Sequence, residues 1–174
     1  GEAIDVDVTV PEGDEFFVDM YNSDKGVEMF VDGEGSQTVT FAGTDTDNLE
    51  PGTYSLVLSV DSNFRSLHPI VISGYDVSFT LPDEANSGGT VEIDDISVQK
   101  TELNDGPSKV EVVFWNDDRV ERVEASGSEG SYSASVDLDG FDTGEYNVHV
   151  AALGEEEFQG EQEILGLSDR QTID

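Results

Sequence analysis

Apolar and polar residues alternate one by one along most of this chain. Ile4, Val6, Val8 and Val10 are separated by Asp5, Asp7 and Thr9, and Tyr54, Leu56, Leu58 and Val60 fall at every second position. A period of two places alternate side chains on opposite faces of a strand, so the pattern predicts half-buried β structure. The same reading applies to Phe16 to Tyr21, Val27 to Val31, Thr38 to Phe41, Val110 to Trp115 and Tyr132 to Leu138. Tyr146, Val148 and Val150 alternate likewise with Asn147 and His149. Turn-forming clusters separate these runs: Asp32-Gly33-Glu34-Gly35, Asn86-Ser87-Gly88-Gly89, Asn104-Asp105-Gly106-Pro107 and Ser126-Gly127-Ser128-Glu129-Gly130. No stretch carries a capped helical stripe. Short strands at this spacing predict an all-β sandwich or barrel.

The chain also repeats itself. Tyr21-Asn22-Ser23-Asp24-Lys25, with Val27 and Glu28, echoes Trp115-Asn116-Asp117-Asp118-Arg119, with Val120 and Glu121. Leu49-Glu50-Pro51-Gly52-Thr53-Tyr54 echoes Phe141-Asp142-Thr143-Gly144-Glu145-Tyr146. Phe64 is matched to Phe158, and Ile70-Val71-Ile72 to Ile164-Leu165 with Leu167. Ordered matches of this kind mark a duplicated unit. A glycine turn followed by a tyrosine that opens a strand, at Tyr54 and Tyr146, fits the tyrosine corner of Greek-key sandwiches, which argues against a barrel. Ile4 to Val10 aligns with Val91 to Val98, so a leading strand at Asp76 to Leu81 belongs to the second copy alone. The expected domains are therefore 1–73, lacking an opening strand, and 74–174. Gly166 to Asp174 resembles Ser73 to Thr80, which suggests that another repeat follows and that the chain is a piece of a longer array.

Charge changes the picture. Asp and Glu number 40 against seven Lys and Arg, a net charge of −33 over 174 residues. Nucleic acid and anionic membranes are poor partners, because the basic footprint that releases counterions is absent. The carboxylates are spread through alternating segments and not gathered in a tail, which points to a folded acidic protein and not a disordered one. Two like charges about 6 Å apart in water repel by roughly 0.7 kcal/mol. At ~1 M salt the Debye length falls to about 3 Å, and most of that repulsion is screened. The composition thus predicts a protein of multimolar salt. There is no cysteine, so disulfides and thiol chemistry play no part. No apolar run reaches membrane-spanning length.

The acidity, the Pro51-Gly52-Thr53-Tyr54 and Thr143-Gly144-Glu145-Tyr146 corners and the Trp115-Asn116-Asp117-Asp118-Arg119 turn together resemble the immunoglobulin-like repeats of haloarchaeal cell-surface and S-layer-type glycoproteins. The ending Leu165-Gly166-Leu167-Ser168-Asp169 is similar to the close of such repeats. The resemblance implies two tandem immunoglobulin-like β-sandwich domains, an extracellular location at the cell surface, an anchor elsewhere in the parent protein, and a structural or adhesive role. Expected partners are surface-layer or cell-surface proteins, glycans, and neighbouring repeats of the same chain. One departure is that no Asn is followed by x-Ser or x-Thr, so the glycosylation common in that family has no acceptor here.

Candidate chemistry is sparse. His149 is expected to face outward on its strand, and His68 to lie in a connecting segment before Pro69. Neither assembles a nucleophilic triad or a zinc site, so no enzyme activity and no resident cofactor are expected. Calcium is the exception weighed, since hard cations want clustered oxygens. The candidates are Asp45 and Asp47 before the first corner, and Asp137 and Asp139 before the second. Partner-binding candidates are the loop residues Asn22, Asp24, Asn116, Asp117 and Asp118. Trp115, aligned with Tyr21 at a strand end, is either core or an exposed platform, with the core position favoured. The rival reading is a carbohydrate- or protein-binding accessory domain of an exported hydrolase.

Overall fold

The computed structural model describes residues 3–82, 85 and 88–174; Asn86 and Ser87 of one expected turn lie outside them. The chain divides into two units, Gly1–Ile72 and Ser73–Asp174, where the repeat alignment expected a division after residue 73. Each unit is an antiparallel β-sandwich around its own hydrophobic core.

In the first unit, β1 (Ile4–Val8) pairs with β4 (Gln37–Phe41). Facing them is a four-stranded sheet of β2 (Glu15–Asn22), β3 (Val27–Glu34), β5 (Gly52–Val60) and β6 (Asn63–Ile72), in the order β3-β2-β5-β6. Alternation decides the faces. Phe16, Val18 and Met20 of β2 are 0–2 % exposed and pack against Val39, Phe41 and Tyr54. Burying an apolar side chain of that size stabilises by about 1.5–3 kcal/mol. Opposite Phe16 across the ladder stands Gly33, where a Cβ would come within 2.6 Å of the Phe16 ring. Asp32, Gly33 and Glu34 are therefore strand residues, and the expected turn contracts to the Gly35-Ser36 link. A one-turn helix, α1 (Gly43–Thr46), occupies the loop before the corner, where no helix was expected.

His68 lies within β6 and not in a connecting segment, paired with Leu56. Pro69, which suggested a break, is tolerated because β6 is an edge strand, where a missing N–H can face away from the sheet.

The second unit repeats the plan with additions. Its strands are β7 (Tyr75–Ser78), β8 (Thr90–Lys100), β9 (Lys109–Trp115), β10 (Val120–Glu124), β11 (Ser126–Ser128), β12 (Ser131–Asp137), β13 (Tyr146–Phe158), β14 (Glu161–Leu167) and β15 (Gln171–Ile173). One sheet runs β11-β12-β8-β7; the other runs β10-β9-β13-β14, with β15 also on β13. The order β10-β9-β13-β14 reproduces β3-β2-β5-β6, and the β12–β8 pair reproduces β4–β1. Among the described residues the first unit has no counterpart of β7, whose Tyr75 and Val77 help close the second core. Ile4, Val6, Ile70 and Ile72 of the first unit are accordingly only partly buried.

One expected turn and one expected equivalence fail. Ser126 to Ser128 form a strand, and the turn narrows to Glu129 and Gly130 with φ of 54° and 86°, the left-handed pair a tight hairpin needs. Phe158 precedes the β13–β14 hairpin and is 9 % exposed, whereas Phe64 follows the β5–β6 hairpin and is 64 % exposed. They are not equivalent positions.

Candidate functional site

The repeated turns are built by their asparagines. Asn22 Oδ1 accepts hydrogen bonds from the N–H groups of Asp24 (2.9 Å) and Lys25 (3.0 Å), and its amide donates to the Thr53 carbonyl (2.8 Å). Asn116 Oδ1 accepts from the N–H groups of Asp118 (3.0 Å) and Arg119 (2.9 Å). This is the Asx-turn chemistry that favours Asn at such corners. Asn22 is 1 % exposed, so its side chain faces the protein's own backbone, while Asp24, Asp117 and Asp118 are exposed.

At the corners, the Tyr54 hydroxyl donates to the Glu50 carbonyl at 2.8 Å, the bond of a tyrosine corner. Tyr146 instead packs its ring 5.2 Å from Phe141, and the Arg119 guanidinium lies 4.0 Å over the same Phe141 ring. Arg119 also donates to the Gly140 carbonyl at 2.7 Å and to Glu121 at 3.1 Å. In the second unit a cation–π contact thus holds the corner.

The two acidic pairs sit in unlike settings. Asp45 belongs to α1 and Asp47 caps its C-terminus. Asp137 ends β12 and accepts the N–H of Asp139 at 2.9 Å. Among the described residues no three His, Asp or Glu side chains gather where they would share an ion.

The structure draws attention elsewhere, to the outer faces of the larger sheets. In β9, Val110, Val112 and Phe114 enter the core, so Lys109, Glu111, Val113 and Trp115 project from the other face. Trp115 is therefore not a core residue. In β13, Val148, Val150 and Ala152 point inward, leaving His149, Ala151 and Leu153 beside them. With Val120 and Arg122 of β10 and Gln162 and Ile164 of β14, these side chains line a concavity of about 560 Å³. The Trp115 and His149 ring centroids are 4.7 Å apart at 52°. Lys109 Nζ lies 2.5 Å from Glu111 and 3.8 Å from Glu124, and Arg122 lies 4.0 Å from Glu111. Burial pushes the His149 pKa below its usual value, and the Arg122 charge adds to the effect. The hydrogen bond from Lys109 to Glu111 raises the lysine pKa.

The first unit presents a different surface on the matching sheet. Phe17, Phe30, Phe64 and Leu67 are 40 %, 62 %, 64 % and 43 % exposed. Register places them on one face: Phe17 pairs with Ser59, Ser59 with Phe64, Asp19 with both Phe30 and Val57, and Val57 with Leu67. The Phe17 and Phe30 rings are 6.3 Å apart, a diagonal cross-strand aromatic pair. Asp19, Glu28 and Asp32 share or border this face.

Sequence reasoning looked first to the loops; it missed the first unit's face, and on the second it weighed Trp115 as an exposed platform but favoured the core. The available signal was adjacency of apolar residues on both parities of one strand, as in Phe16-Phe17-Val18 and Val112-Val113-Phe114-Trp115.

Fold and surfaces together define an all-β protein of two tandem immunoglobulin-like sandwiches. No family model and no curated protein matches the chain. A crystal structure of the chicken CNTN1 FN1-FN3 domains is similar at 14 % identity and a TM-score of 0.35, over 93 % of this chain and 55 % of that one. The chain thus spans about half the length of that structure. No helix of the described residues is long and apolar enough to cross a membrane.

Proposed function

We propose that the chain is a non-catalytic structural or adhesive module from the surface of a halophilic archaeal cell, and that the first unit makes the adhesive contact. The observation that carries this reading is the cluster of Phe17, Phe30, Phe64 and Leu67 on one sheet face. Large apolar side chains grouped on a soluble surface mark a site where another molecule lies. The −33 charge supports the halophilic setting, since screening at high salt is what lets an apolar contact form between acidic surfaces. Retention of the chain on an envelope fraction from a halophilic archaeon, in molar salt, tests it. Phe30→Ser with Phe64→Ser should lower retention at least tenfold without loss of β signal. Equal retention of the double variant and the parent chain overturns the reading.

A second reading, an accessory binding domain of an exported hydrolase, is favoured by the Trp115 concavity. A parent gene that encodes a catalytic domain beside these two units would select it.

A further inference from the structure

The outer face of β10-β9-β13-β14 brings three features together. It is concave, it carries the chain's single tryptophan, and two of the chain's seven Lys and Arg stand on it. Concave surfaces with an apolar floor and a few convergent polar groups are the usual form of a small-ligand site. We propose that this face binds an uncharged saccharide, with the ring's C–H face laid on Trp115 and its hydroxyls held by Arg122, Glu111 and Gln162.

The chemistry follows from the side chains. Aromatic faces are electron-rich, and the C–H hydrogens of a sugar ring carry partial positive charge, so the two surfaces attract while both lose water. Val113, Ala151 and Ile164 continue the apolar floor. Hydroxyl groups both donate and accept, so they need donors and acceptors side by side. Arg122 and Lys109 donate and Glu111 accepts, while Gln162, whose Nε2 donates to the Gly154 carbonyl at 3.0 Å, presents its Oε1 as a second acceptor.

Charge selects an uncharged sugar. Lys109 is paired with Glu111 and Glu124, and Arg122 lies 4.0 Å from Glu111, so the cations are already balanced. An acidic sugar finds no unbalanced cation here and meets the field of a chain carrying −33. A second copy of the chain would bring an equal negative charge. This inference stands on residues of the second unit and goes beyond the adhesive reading of the first, so either can fail alone.

Trp115 is the only tryptophan, and its emission therefore reports on this face alone. The experiment titrates the full chain in molar salt with uncharged oligosaccharides of glucose, mannose, galactose and N-acetylglucosamine, and in parallel with an oligouronate. At least one uncharged sugar should change the emission saturably. Arg122→Gln should weaken that binding about tenfold, the loss of a charge-assisted hydrogen bond. Phe64→Ser in the first unit should leave it unchanged. Trp115→Ala, followed by calorimetry, should abolish it while the far-ultraviolet spectrum is kept. No saturable response to any uncharged sugar overturns the proposal. So does a response confined to the oligouronate, or one that follows protein concentration without sugar.

Discussion

Trp115 and His149 lie ring against ring across neighbouring strands of the second unit, their centroids 4.7 Å apart on the outer face of the sheet. Burial holds the imidazole pKa below its usual value, with the Arg122 charge adding to it. A histidine depressed in this way is neutral in the folded protein while the unfolded chain still takes up the proton. Its contribution to stability is complete above the unfolded value of about 6.5 and is lost as pH falls through the lower folded value.

Trp115 emission should therefore titrate with a midpoint below about 6.5, the unperturbed histidine value. His149→Phe should remove the transition. A midpoint at or above that value, or a transition that survives His149→Phe, would show that the pairing does not control the titration.

The two corner tyrosines should differ. Tyr54→Phe removes the hydroxyl that donates to the Glu50 carbonyl and should cost about 1 kcal/mol. Tyr146→Phe keeps the ring against Phe141 and should fall within about 0.5 kcal/mol of the parent, as for a change away from any special contact. Urea denaturation in high salt measures both. Equal losses would contradict the distinction.

The two corners also show where the sequence was readable. Gly52-Thr53-Tyr54 and Gly144-Glu145-Tyr146 look alike as letters, and both tyrosines open strands with rings turned inward. The first corner is secured locally, by Tyr54 on the Glu50 carbonyl, but the second depends on a distant residue, Arg119, whose place over Phe141 no local pattern specifies. Strands were legible wherever one parity was polar, as in Ile4 to Val8. Where both parities were apolar, as at Val113 and Trp115, alternation separates two faces without saying which meets the core. That β7 has no counterpart among the described residues of the first unit was legible from the offset of the repeats. The hairpin that separates Phe64 from Phe158 was not, because the turn residues Asp61-Ser62 and Gln159-Gly160 differ in type yet share positive φ.

Salt should govern stability. On dialysis to ~10 mM salt, where the Debye length is about 30 Å, the far-ultraviolet β signal should fall. An unchanged spectrum and melting temperature would show that carboxylate repulsion is not what limits this fold.

The architecture itself rests on two separate cores, one around Phe16, Met20 and Tyr54 and one around Phe114, Val148 and Ile93. The second carries the extra strand β7 and the single tryptophan. Urea denaturation in molar salt, followed by circular dichroism and Trp115 emission on the same samples, tests this most directly. Circular dichroism should resolve two steps, with Trp115 emission following only the later one. A single step in which both signals change together would contradict two independently cored sandwiches.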